Sequence, residues 1–191
     1  MLNNEFWKST FEKQEGYDIS RRKIIGESSR AQQSAKQAIF SLQRGNLEQA
    51  EQKIREAEEG LVSLDQRFGQ ELRLRMEGSW KAGIEEYVEA KLFYYFIKNE
   101  QIGEIPGFHI EPDEYVGGLS DLTGEILRQM IIWTTRKEFD NVKDAGAIIE
   151  EVIHELIQHN FSGYLRTKFD QAKVNLHKSE QILYDLSIRE K

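Results

Sequence analysis

Apolar residues recur along this chain three and four positions apart, and nowhere does strand-like alternation compete with that spacing. A short helical segment is expected over about 4–15, stopped by Gly16. A long helix should follow, opening at Asp18 or Ser20 as N-cap and closing at Gly45. At about 100° per residue, its Ile25, Ser28, Gln32, Ala35, Ile39 and Leu42 fall on one side. Arg22, Lys23, Arg30, Lys36 and Arg44 fall on the other, giving a core stripe and a basic stripe. Asn46 caps a further helix over about 47–65, with Glu and Lys at surface-pair spacings. Residues 67–80 read ambiguously because Gly69 and Gly78 weaken the helical signal. A helix from Gly83 to about Lys98 comes next, then a loop through Gly103, Pro106 and Gly107. Pro112 suits the first turn of a helix reaching Arg136, and two more lie near 142–159 and 162–189. The pattern predicts an all-α protein, a seven-helix antiparallel bundle forming one domain over 1–191.

Composition sharpens this picture. There are two prolines and no cysteine, so neither a disulfide framework nor a thiolate metal site is available. The opening MLNNEFWKSTFEKQEG is polar, and no window approaches 18 uncharged apolar residues. A soluble cytoplasmic protein with no membrane partner is expected. The formal net charge of −7 argues against a generic nucleic-acid binder. Distribution changes that reading: residues 19–45 hold six basic residues and one acid, a local balance of +5.

The candidate chemistry lies in two segments. Gly83–Ile97 is apolar around most of its circumference, as in a buried helix, yet Glu86 and Glu89 share one of its faces with Phe93 and Ile97. Lys91 and Lys98 lie on roughly the opposite side. In Gly117–Arg128, Asp121 and Glu125 share a face with Arg128, and Gly117, Gly118 and Gly124 would let another helix come close. Two buried carboxylate pairs cannot all ionise unaided, because burial and like charge both oppose it. A divalent cation resolves the conflict, and an oxygen-only donor set suits Mg²⁺ or Mn²⁺ better than zinc. Each pair alone would also suit an ordinary helix surface.

The same segments carry a resemblance. Gly83-Ile-Glu-Glu-Tyr-Val-Glu-Ala90 and Tyr115-Val-Gly-Gly-Leu-Ser-Asp-Leu-Thr-Gly-Glu-Ile-Leu-Arg128 resemble the paired motifs of the TRAX branch of the translin family. Pro106-Gly-Phe-His-Ile110, Arg67-Phe-Gly-Gln-Glu-Leu-Arg73 and Leu183-Tyr-Asp-Leu-Ser-Ile-Arg189 are similar to translin itself, and residues 21–44 to the first long helix of both. The resemblance implies a seven-helix bundle that assembles into hollow octamers enclosing nucleic acid. It further implies a TRAX-like endoribonuclease with Glu86, Glu89, Asp121 and Glu125 as Mg²⁺-binding catalytic residues, since all four positions are acidic. A chain with features of both branches implies a homo-oligomer like those of prokaryotic members. The absence of a nuclear-targeting basic cluster and of a long central insertion departs from TRAX and argues against a nuclear location.

The expected reaction is phosphodiester hydrolysis leaving 3′-hydroxyl and 5′-phosphate ends, with Glu86 as the candidate proton acceptor. RNA, preferably single-stranded, and secondarily single-stranded DNA would be held through phosphates. Arg67 and Arg73 match positions used for nucleic acid in translin; Arg128, Arg21, Arg22 and Lys23 are further candidates, although Arg128 could equally pair with a carboxylate. Trp80 could stack on a base, but a Trp before a buried helix fits the core better. His109, His154, His159 and His177 are scattered and read as structural or surface residues. Two alternatives remain open. One is a non-catalytic translin-like binding protein. The other is an all-α nucleoside triphosphate pyrophosphatase, which Glu85-Glu-Tyr-Val-Glu89 fits but Asp121-x-x-x-Glu125 does not. A di-iron bundle is disfavoured, because neither of these two acid-bearing segments holds a Glu-x-x-His motif.

Overall fold

A computed structural model describes residues 2–189 and contains, among them, seven helices and no strand. They are α1 (Asn4–Gln43), α2 (Leu47–Phe68), α3 (Leu72–Arg75), α4 (Gly78–Ile97), α5 (Pro112–Arg136), α6 (Phe139–Ile157) and α7 (Gly163–Arg189). Helix α1 packs on α2 and α4, α4 on α5, and α5 on both α6 and α7, which also meet each other. The all-α bundle expected from periodicity is thus observed.

Two boundaries differ from expectation for physical reasons. Gly16 does not divide α1, which runs unbroken for 40 residues, about 60 Å. One glycine costs about 1 kcal/mol of helix propensity, too little to break a helix that continues on both sides. Asp18, expected as an N-cap, instead accepts a hydrogen bond from Gln14 Nε2 one turn earlier, at 3.0 Å. The true cap is Asn3, whose side chain accepts from Phe6 N. Helix α4 starts at Gly78 rather than Gly83, and Trp80 is wholly buried within it. That settles Trp80 as a core residue, unavailable for stacking on a base.

The ambiguous stretch 67–80 is held by an ion pair with no sequence signature. Arg75, buried at the end of the single turn α3, forms two hydrogen bonds to Glu114 at 2.7 and 2.6 Å. Glu114 also closes a capping box with Glu111 at the start of α5, accepting from Glu111 N. One carboxylate thereby fixes both the α5 N-terminus and the α3–α4 corner.

The contact that positions the site is the crossing of α4 over α5. A Cβ at Gly118 would come within 2.7 Å of the Glu85 backbone oxygen and of Val88 Cγ1, and one at Gly117 would overlap the Glu85 carboxylate. Backbone therefore approaches backbone here, as the glycines suggested. Gly124 faces α7 instead, where its nearest neighbour is Asn175 Nδ2 at 3.4 Å.

Gly118→Ala must push two helices apart and is expected to cost about 1–3 kcal/mol in urea unfolding. Gly26→Ala, with no atom within 4 Å of its Cβ on exposed helix, should instead stabilise by roughly 0.5–1 kcal/mol. Equal effects at the two positions would contradict the close crossing.

Candidate carboxylate site

Glu86 and Glu89 project from α4, and Asp121 and Glu125 from α5, into one cavity of about 520 Å³. Helix α7 closes another side with Tyr164, Lys168, Gln171 and Asn175. The apolar remainder of α4 explains the placement: with Tyr87, Val88, Leu92 and Phe93 buried in the core, the two glutamates take the strip facing α5. All four acids predicted from the sequence therefore meet in one place.

Three of the four have partners. Glu86 Oε2 accepts a long hydrogen bond from Gln32 Nε2 (3.4 Å) and faces Lys36 Nζ at 3.5 Å. Asp121 accepts from Lys168 Nζ, which also donates to Glu85 Oε1 at 2.6 Å; Tyr164 Oη donates to that same Glu85 oxygen at 2.6 Å. Glu125 accepts from Gln43 Nε2, with Arg128 Nη1 4.0 Å away. Among the described residues Glu89 has neither a hydrogen bond nor an ion pair.

Electrostatics follow from this arrangement. Burial raises the pKa of all four carboxyls above the ordinary range. Glu89 is raised furthest, first by burial and then by the charges of Asp121, Glu86 and Glu125. At Glu86 burial outweighs Lys36, at Asp121 it outweighs Lys168, and at Glu125 it outweighs Arg128. Burial alone would depress the Lys168 amine, but its hydrogen bonds to Asp121 and Glu85 reverse that and keep it protonated.

The donor set consists of carboxylate oxygens with no histidine in the cavity lining, which fits a hard divalent cation. Among the described residues no three acidic or histidine side chains converge tightly enough to form a ready cage. Lys168, Gln43 and Lys36 each engage one of the four acids. These three residues are what sequence reasoning missed as parts of the site. A lysine or glutamine on an amphipathic helix carries no signal of which acid it will face.

The predicted nucleic-acid residues divide. Arg128 stands at the cavity beside Glu125. Arg67 is paired with Glu27 and donates to the Ser63 carbonyl at 3.0 Å. The Arg73 guanidinium lies 3.6 Å from the Tyr17 ring centroid, and Arg21 Nε donates to Glu77 at 2.8 Å. Arg22 is exposed. These four sit on the α1–α2–α3 side; Arg21 and Gln32 are eleven residues, about 16 Å, apart along α1. His109 contacts Glu111 and His177 contacts Glu180, both away from the cavity. Among the described residues no helix is long and apolar enough to cross a membrane.

A seven-helix bundle with paired carboxylates on two crossing helices defines a class that comparison with known proteins identifies. The chain belongs to the Translin family, whose family model matches residues 19–190. It is 25% identical over 144 residues to translin from Bos taurus and from Homo sapiens, and 24% identical to translin from Gallus gallus. Those alignments cover 68% of this chain and 63% of each relative, so the chain spans under two thirds of the translins it matches. Among solved structures, apo-NeC3PO superposes with a TM-score of 0.84 at 22% identity, covering 95% of this chain and 96% of its own. AfC3PO in complex with duplex RNA superposes with a TM-score of 0.85 at 19% identity, covering 96% and 97%. At these identities the structures establish the shared fold.

A carboxyl whose pKa is higher folded than unfolded supports the fold while protonated. That support is complete below the ordinary value of 4.5 and is lost as pH climbs through the raised value. Glu89→Gln should therefore melt a few degrees above wild type at pH 8 in EDTA, with the difference shrinking towards pH 4. Lys168→Met should do the opposite. It leaves Glu85 and Asp121 facing each other without a cation, so its melting temperature should fall more at pH 8 than at pH 5.

Proposed function

We propose that this chain is a metal-dependent endoribonuclease of the Translin family, working within a hollow homo-oligomer. The observation that supports it most is the convergence of Glu86, Glu89, Asp121 and Glu125 on one cavity, with Glu89 buried and without a hydrogen-bond or ion-pair partner among the described residues. Such an acid cluster destabilises the fold unless a cation compensates it, and sites that tolerate this conflict tend to be functional.

Glu89, Glu86, Asp121 and Glu125 would hold Mg²⁺, with Mn²⁺ as an alternative. When bound, the metal supplies charge neutralisation at the phosphoryl oxygens and acidifies water. The chain's own residues do the rest. Glu86 is held at one oxygen by Gln32 and Lys36, which leaves the other free to take a proton from water. Arg128 at the rim is placed to contact a phosphate once Glu125 is engaged elsewhere. Gln43 and Lys168, freed from Glu125 and Asp121, are further donors for phosphate oxygens.

RNA is the proposed substrate. The family membership, the +5 balance of residues 19–45 and the duplex-RNA complex of the similarly folded AfC3PO support it. Single-stranded RNA is the preferred form, with single-stranded DNA as a second ligand, and the cytoplasm is the proposed location. An octamer is the assembly proposed by resemblance. The large apolar side chains exposed along the first turns of α1, Phe6, Trp7 and Phe11, suit contacts between copies.

A second reading has its own support. The relatives matched by sequence are translins, and Lys168 already neutralises Asp121, so the acids could serve a non-catalytic RNA-binding protein.

Incubating labelled single-stranded and duplex RNA with the protein, in Mg²⁺ or EDTA, separates the two. The nuclease should cleave in Mg²⁺ alone, leave 5′-phosphate ends, and lose at least about 100-fold in rate in Glu89→Ala and Asp121→Ala. Tight binding without cleavage in any condition would leave the binding protein. Ends carrying a 2′,3′-cyclic phosphate would exclude the proposed chemistry.

A further inference from the structure

A second opening of about 770 Å³ lies between the C-terminal half of α1 and the start of α2, and one of its lining residues, Lys36, faces Glu86 of the carboxylate cavity. The chain carries 33 acidic residues, yet among the described residues none lines this groove. Its charged residues are Lys36 and Arg44, both basic. Arg44 has no carboxylate partner among the described residues; its guanidinium lies over the ring of Phe40, 4.3 Å from the centroid. Phe40 itself is 48% exposed, although it stands between the buried Ile39 and Ser41 on a helix that otherwise hides its large apolar groups here. The side-chain amides of Gln33 and Gln37 line the same groove and make no hydrogen bond among the described residues.

Each feature alone is ordinary for a helix surface. Together they form a set with a chemical preference. Two cations in an acid-free groove select an anion, an exposed ring between them offers a flat apolar face, and two free amides present paired donors and acceptors. A folded protein helix would satisfy the ring but not the two cations. A phosphodiester chain with unstacked bases satisfies all three: phosphates for the cations, a base for the ring, base edges for the amides.

The register of α1 links this groove to the acids. At about 100° per residue, Gln32, Lys36 and Gln43 lie within ~40° of one another and touch Glu86 or Glu125. Lys36 thus faces the acids beside Gln32 and not, as its assignment to the basic stripe had it, the other side of the helix. Phe40 and Arg44 lie about 40–80° further round from Lys36, so one helix presents the acid partners on one strip and the groove on the adjoining one. Lys36 Nζ, 3.5 Å from Glu86 Oε2, stands at the boundary.

We infer that the groove formed by Lys36, Phe40 and Arg44 with Gln33 and Gln37 is a nucleotide subsite for single-stranded RNA, holding the residue next to the phosphate presented to the carboxylates. Phe40 stacks the base, Arg44 and Lys36 contact the flanking phosphates, and the glutamine amides meet the base edge. The inference rests on the RNA reading of the neighbouring site but not on cleavage there. It predicts that the protein favours RNA with at least one unpaired nucleotide at the scissile position, because a base within a duplex cannot reach the ring.

The test is fluorescence anisotropy of a labelled single-stranded RNA and of its duplex, in EDTA, across a salt series, on the full chain. Phe40→Ala should weaken single-strand binding about tenfold, leave its salt slope unchanged, and affect the duplex far less. Arg44→Gln should weaken it several-fold and lower the salt slope by about one. Both side chains are at the surface, and unchanged melting would confirm that the variants are folded. Wild-type affinity in both variants would overturn the subsite. So would a change in oligomer size by sedimentation on Phe40→Ala, which would make the groove a contact between copies. A wild-type protein that binds no RNA would remove the RNA reading and this inference together. Binding that responds to the two substitutions, in a protein that never cleaves, would remove only the nuclease.

Discussion

The crossing of α4 over α5 is the constraint on which the rest depends. With glycine at 117 and 118, α5 lies against the backbone of Glu85 and the side chain of Val88, closer than any side chain would permit. That closeness brings Glu86 and Glu89 over Asp121 and Glu125, and Lys168 and Tyr164 of α7 reach Glu85 beside it. Helix α7 is thus drawn onto the site by the charge that the crossing creates. The Arg75–Glu114 pair acts one level further out, fixing the start of α5 and so the register in which the glycines meet α4.

The cost of that geometry is electrostatic. Burial and mutual repulsion raise all four carboxyls, and among the described residues three of them find short-range partners while Glu89 does not. Lys168 is the principal counter-charge, shared between Glu85 and Asp121. A lysine is a compact single charge, and it cannot neutralise the pair Glu86–Glu89 as well. The residual imbalance is what the proposed divalent cation would compensate.

The basic residues separate into two groups. Arg21, Arg67 and Arg73 are engaged by Glu77, Glu27 and Tyr17, contacts that tie α1 to α2 and to the segment around α3. Any nucleic acid they touch must compete with those partners. Arg44 and Lys36 have weaker claims on them, an aromatic face and one acid at 3.5 Å. The positive charge of α1 that lies beside the carboxylates is therefore that of Lys36 and of Arg44 at its C-terminal end.

Much of this was legible in the chain itself, and the divisions have physical causes. Periodicity alone gives the helices, because a buried stripe must repeat with the helical turn. The spacing of Glu86 with Glu89 and of Asp121 with Glu125 places each pair on one face, and the glycines at 117 and 118 announce a close approach. Local signals misled only where they were weak: Gly16 could not stop α1, and one turn at Leu72–Arg75 is too short to have a period. Tertiary structure alone decided which groups answer the acids. Lys168, Gln43 and Lys36 are 47, 82 and 50 residues from the nearest acids they serve, on helices whose own sequence needs them only to be polar. A face can be read from spacing along one helix, but a partner depends on how two helices cross, and that is set by packing across the whole bundle.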